Sequence, residues 1–114
     1  MNSQISWVFE LTINNSANEL KQLMLKLVES TKKEPQTLAY EWYLSADEKI
    51  CHIYEKYENS EAAILHLATF KKEFASSLLA LGQATNFVVY GNCSKDLLDS
   101  LDGFNGQYMN PIGG

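Results

Sequence analysis

Apolar and polar residues alternate from Ile5 to Ile13, placing Trp7, Phe9, Leu11 and Ile13 on one face and Val8, Glu10 and Thr12 on the other. That period of two predicts a strand. Asn14-Asn15-Ser16 reads as a turn, and Ser16 followed by Glu19 is a capping-box start. Leu20, Leu23, Met24, Leu27 and Val28 then repeat as a single helical stripe to about Lys33, where Pro35 stops the helix. Two further strands are predicted at residues 37–44 and 49–57, joined by the polar loop Ser45–Glu48. A second helix is expected from Asn59-Ser60 to about Leu81, with the stripe Ala63, Leu67, Phe70, Phe74, Leu78 and Leu81, and with Gly82 as its C-cap. A fourth strand follows at residues 85–93, a short helix at residues 94–101, and a glycine-rich tail from Asp102.

The order is β-α-β-β-α-β, the ferredoxin-like α+β arrangement: an antiparallel sheet with both helices on one side. The expected division is residues 1–101 as the domain, and residues 102–114 as a tail belonging to it. The faces carrying Trp7, Phe9, Leu11 and Ile13, and Leu38, Tyr40, Trp42 and Leu44, should meet the helices. The opposite face carries Glu10, Glu41, Tyr43, His52 and Tyr54 and is too apolar to be left bare. It implies a partner, most simply a second copy packed across a two-fold axis. A four-residue loop would pair Leu44 with Lys49 and set Glu41 opposite His52; a loop one residue longer would set Trp42 there instead.

Composition narrows the possibilities. The 114 residues suit one domain, and 46% apolar with 20% charged residues is ordinary for a globular chain. With 9 basic and 14 acidic residues the net charge is −5, and no basic stripe exists to bind nucleic acid. Cys51 and Cys93 lack metal-ligand spacing and are expected to be reduced thiols of a cytoplasmic protein. No apolar run approaches the ~20 residues of a membrane span, and the N-terminus lacks the pattern of a secretory leader. No metal triad, phosphate-binding glycine loop or Ser/His/Asp spacing is present.

The segments TLAYEWYLS, CHIYEKYENSEAAILHL and VVYGNCSKDLLDSL, with Glu55-Lys56-Tyr57-Glu58-Asn59-Ser60 leading to His66-Leu67, resemble the antibiotic biosynthesis monooxygenase family. The likeness covers nearly the whole chain. It implies a small dimeric α/β barrel that oxidises quinol-like or other small aromatic molecules without metal or flavin. In such chemistry the electron-rich phenolate reduces dioxygen, while the protein supplies an apolar cavity and a proton acceptor. On this resemblance His66 is the candidate base. Phe9, Tyr40, Trp42, Phe70 and Phe74 are the candidate pocket walls, and Glu10, Glu41, Tyr43, His52 and Tyr54 form the interface of a homodimer. No cofactor is implied. Relatives often carry a second histidine five positions after the first; Lys71 stands there. The haem-degrading branch needs an asparagine on the first strand and a tryptophan ending the third. Neither is present, Tyr57 taking the latter place, so the resemblance points away from haem degradation.

The residues alone also admit plainer roles. His66 lies about 60° from Ala63 on the helical wheel, where a histidine can simply be a hydrogen-bonded boundary residue. Phe70 and Phe74 can simply fill the core. A cofactor-free monooxygenase and a non-catalytic small-ligand or regulatory module on the same fold therefore both stand at this point.

Overall fold

The computed structural model describes residues 3–114. The chain runs β1 (Ile5–Ile13), α1 (Ala17–Thr31), β2 (Thr37–Leu44), β3 (Ile50–Tyr57), α2 (Ser60–Glu73), α3 (Ala75–Ala80), β4 (Gly82–Tyr90), α4 (Lys95–Ser100) and β5 (Gln107–Met109). The strands form one sheet in the order β2-β3-β1-β4-β5. Its first four strands are antiparallel in the expected ferredoxin-like order. The expectation of a wholly antiparallel sheet is corrected at one edge. Part of the tail returns beside β4 as the parallel strand β5, pairing Val88 with Gln107 and Tyr90 with Met109. Three residues are too few to show a period of two, so the sequence gives no sign of this strand. The sheet remains open at β2 and β5 and is not closed into a barrel.

The core lies between one sheet face and the helices. Ile5, Trp7, Phe9, Leu11 and Ile13 are all buried, as alternation in β1 requires. They meet Leu20 of α1, Ala62, Ala63 and Leu67 of α2, Leu78 of α3 and Leu97 of α4 in one cluster. Trp7 packs its ring 4.9 Å from Tyr57 and 5.6 Å from Phe87, centroid to centroid. Ser16 caps α1 by accepting from the Asn18 backbone N–H, and Asn59 Oδ1 caps α2 by accepting from Ala62 N–H at 2.9 Å. Each cap satisfies one amide that the first helical turn leaves without a partner.

The hairpin register differs from the expected one. Leu44 pairs with Cys51, Tyr43 with His52 and Glu41 with Tyr54. Ser45 continues the ladder through its amide to the Ile50 carbonyl, while the Asp47 carboxylate holds the Ser45 hydroxyl and the Lys49 amide inside the turn. The shift is two residues, so every side chain keeps its expected face. Leu38 is the exception. A bulge between Thr37 and Ala39 leaves it unpaired and 48% exposed rather than facing the helices.

The expected second helix is two helices. The backbone at Phe74 leaves the helical region (φ −126°), and α3 sets off anew from it. Gly82 is likewise no C-cap: Leu81 ends α3, and Gly82 opens β4. A Cβ on Gly82 would lie 2.4 Å from the backbone oxygen of Thr12, so the close approach of β1 and β4 requires glycine there. Gly82→Ala is expected to lower stability by roughly 1–3 kcal/mol, the usual range for an overpacked site, as measured by urea unfolding. Unchanged stability would show that the two strands can separate at no cost.

Candidate functional site

Three elements bring their polar groups to one buried point. Alternation along β3 puts Glu55 and Tyr57 on the core face with Ile53 between β1 and β2, although one of these residues is a carboxylic acid. The cap at Asn59 sets the helical phase so that Ala63, His66, Leu67 and Phe70 point towards the sheet. The turn after α1 delivers Glu34 from the opposite side, held by the Thr37 hydroxyl donating to its Oε1 at 2.8 Å.

His66 is the centre of this cluster and not a boundary residue, being only 4% exposed. Its Nδ1 lies 2.9 Å from Glu34 Oε1, and its Nε2 lies 3.2 Å from Glu55 Oε1. The Tyr57 hydroxyl donates to that same Glu55 oxygen at 2.5 Å. The imidazole lies between the rings of Tyr40 and Tyr57, with centroids at 5.4 and 5.3 Å. Burial, the largest single influence, pulls the pKa of His66 down. The hydrogen bonds and charges of Glu34 and Glu55 together outweigh it and lift the pKa to about 9. That shift favours the imidazolium at neutral pH, with Nδ1 donating to Glu34 and Nε2 facing the Glu55 carboxylate. Burial first, and the Glu55 charge second, push the Tyr40 and Tyr57 phenols up, so both stay protonated.

Beside this cluster is a chamber of about 30 Å³. That is room for about two waters, each of which needs some 10–15 Å³ on the same measure. Its polar wall is Glu55 and His66, and its other walls include Trp7, Phe9, Tyr40, Phe70, Phe87 and Phe104. Outside it opens a cleft of about 480 Å³, lined by Leu79, Thr85, Asn86, Asp102 and Asn105 among others. Phe9, Phe70, Phe87 and Phe104 border both spaces and form the partition between them. Phe9 and Phe87 are on strands and Phe70 is on a helix, whereas Phe104 sits in the irregular segment between α4 and β5. Its neighbours there are Gly103 (φ +89°) and Asn105 (φ +57°). Lys71 donates to the Ser100 carbonyl and holds its ammonium 5.6 Å from the Phe104 ring centroid.

Of the side chains expected at a pocket, Phe9, Tyr40 and Phe70 line the chamber with His66. Trp42 does not. It shares the core face of β2 but lies one residue pair further towards the hairpin, in a groove with Leu20, Met24 and Leu44 of about 220 Å³. Among the described residues its buried indole N–H has no hydrogen-bond partner, and its ring lies 6.0 Å from that of Tyr40, edge to face. Phe74, at the break between α2 and α3, lines neither chamber nor cleft. Glu10, Glu41, Tyr43, His52 and Tyr54 lie on the open sheet face, where His52 Nε2 meets Glu10 Oε1 at 2.9 Å and the Tyr43 hydroxyl donates to Glu41 at 2.7 Å. Glu34, Trp7, Phe87 and Phe104 carried no assigned role in the sequence. Of these four, Phe104 gave a faint signal as an aromatic residue in a glycine-rich run. Among the described residues no group of three or more His, Cys, Asp or Glu is placed to hold a metal ion, and no helix is long and apolar enough to cross a membrane.

No protein-family model and no curated protein matches this sequence. Solved structures do match its fold. MupZ from Pseudomonas fluorescens aligns over 100% of this chain and 89% of its own, with a TM-score of 0.82 at 21% identity. SnoaB from Streptomyces nogalater, a cofactor-independent oxygenase, aligns over 82% of this chain and 96% of its own, with a TM-score of 0.69 at 14% identity. A candidate antibiotic biosynthesis monooxygenase from Nitrosomonas europaea covers 83% of this chain and 95% of its own, with a TM-score of 0.66 at 19% identity. The chain thus has the fold of antibiotic biosynthesis monooxygenase-like proteins, as the sequence resemblance implied.

The charge of His66 makes stability depend on pH. A histidine whose pKa rises from 6.5 unfolded to about 9 folded contributes stability that is fully present below the lower value and lost as pH climbs through the higher. The full contribution is on the order of 3 kcal/mol. Urea unfolding is expected to show this loss between about pH 6.5 and 9 in the wild type and not in His66→Gln. An identical slope in both proteins would assign the effect to other groups.

Proposed function

We propose that this protein is a cofactor-independent monooxygenase acting on a small aromatic, quinol-type molecule held between the sheet and α2. The observation that carries the reading is the buried Glu34–His66–Glu55–Tyr57 cluster at the end of an aromatic-walled chamber. A fold shared with a cofactor-independent oxygenase supports it. An electron-rich ring seated against Trp7, Tyr40 and Phe87 would be desolvated on its faces. Its oxygen would meet the polar wall, where the fixed charges act in an apolar setting that strengthens them. Oxidation of the ring by dioxygen then needs the protein mainly for orientation and exclusion of water.

The chamber as it stands is smaller than an aromatic ring, so substrate is admitted by displacement of a wall. Phe104 is the wall on the least regular segment. With its ring swung aside, chamber and cleft become one space.

Oxygen consumption with a panel of hydroquinones tests the reading. The wild type is expected to exceed the buffer control, and His66→Gln to lose roughly tenfold or more, since one neutral amide replaces a charged group with two donors. Phe104→Ala is expected to lower KM for the same quinols by roughly tenfold, the scale set by removing a steric block in an apolar pocket. Uptake indistinguishable from buffer, with metabolites nevertheless raising the melting temperature, would identify a ligand-binding module instead.

We further propose that the open sheet face pairs two copies of the chain. Tyr43, 57% exposed, stands in the row formed with His52 and Glu10, and Leu38, 48% exposed, lies at the far end of β2 in its bulge. Tyr43→Lys is expected to convert a dimer to a monomer in sedimentation equilibrium; a wild-type monomer would refute the pairing.

A further inference from the structure

Glu55 is 6% exposed and is the only carboxylate lining the chamber among the described residues. Its two polar contacts, from Tyr57 and His66, both fall on Oε1. Among the described residues Oε2 has no partner, yet it is not sealed off: the Trp42 indole nitrogen is the one side-chain nitrogen or oxygen among them left both unpaired and out of reach of solvent. A carboxylate oxygen left unpaired in an apolar space is costly unless a donor occupies that space.

We propose that the chamber is a receptor for a neutral ring hydroxyl, which donates to Glu55 Oε2, and that His66 is a positioning residue that fixes Glu55 through its other oxygen. This rests on the reading of the chamber as a substrate site. It differs from the sequence expectation that His66 itself accepts the proton. Both nitrogens of His66 already face carboxylates, so neither is free to accept from a ligand.

The electrostatics select the protonation state of the ligand. An anion placed here would face Glu55 directly and Glu34 behind it, with His66 already shared between the two. A cation would lose its hydration against Trp7, Phe87 and Phe104 while approaching the imidazolium. A ring without a hydroxyl fills the apolar walls but leaves Oε2 unpaired. A neutral phenol satisfies both ends: its ring against aromatic side chains, its O–H in a charge-assisted hydrogen bond.

Binding of phenol, toluene and benzoate, followed without oxygen by NMR shifts of the Trp7 indole, tests this directly. Wild type and Phe104→Ala are both used, so that a closed wall cannot hide the site. Phenol is expected to bind at least about tenfold more tightly than toluene or benzoate, the scale on which a site with a buried polar group rejects ligands that leave it unpaired. In Glu55→Leu the preference for phenol over toluene is expected to vanish, and in Glu55→Gln to shrink, because a neutral acceptor is weaker.

The pH profile separates positioning from acceptance. The groups facing His66 are Glu34 from the turn after α1, Tyr40 from β2, and Glu55 and Tyr57 from β3. With His66 a fixed cation, phenol affinity should be level from about pH 6 to 8 and fall as the ring loses its proton near pH 9. Affinity that rises with pH would make a neutral His66 the acceptor and overturn the proposal. So would absence of phenol binding to both proteins, or a phenol preference unaltered in Glu55→Leu. Phenol binding as described without any oxygen consumption would instead overturn the monooxygenase reading and leave this one standing.

Discussion

An imidazolium buried between two carboxylates constrains the rest of this structure. Glu34 and Glu55 approach opposite nitrogens of His66, and each comes from a different element. Removing one member of such a group leaves an uncompensated charge in the interior, a loss of several kcal/mol. The turn after α1, the phase of α2 and the register of β3 must therefore agree together. A one-residue slip of β3 would send Glu55 and Tyr57 to the open face and leave His66 paired on one side only.

The same cluster explains why the chamber is polar at one end and aromatic everywhere else. Burial raises the Tyr40 and Tyr57 phenols, so they remain neutral, and the charges are confined to Glu34, His66 and Glu55. The partition of Phe9, Phe70, Phe87 and Phe104 separates these charges from the wider cleft. Three of its four rings are carried by regular structure and one by the segment before β5. The molecule thus joins a charged floor to an aromatic wall, one panel of which, Phe104, is carried by irregular structure. Lys71, standing where relatives of the suggested family often carry a second histidine, lies over that panel rather than in the site.

Much of this was legible in the chain. Period-two alternation gave β1 to the residue, and the faces of β2 and β3 survived a two-residue register shift because strand faces repeat every second residue. Most of what escaped is not local in the sequence. The bulge at Leu38, the break at Phe74 and the close approach at Gly82 depend on contacts between distant segments. Strand β5 is too short to announce itself. At the site, His66 was visible as a histidine near a stripe, but its protonation was not, because that is set by Glu34, which reaches it from a loop 32 residues away. Glu55 was visible in the motif and sits at a core-facing position of an alternating strand. A carboxylate in that position was the strongest available sign of a buried polar site.

The claim on which the account turns is that His66 is a cation held by two carboxylates. NMR titration of the His66 ring nitrogens measures this directly. The account predicts that both nitrogens carry protons at neutral pH and that the ring titrates near 9. A ring that is singly protonated at neutral pH and titrates at or below 6.5 would contradict it.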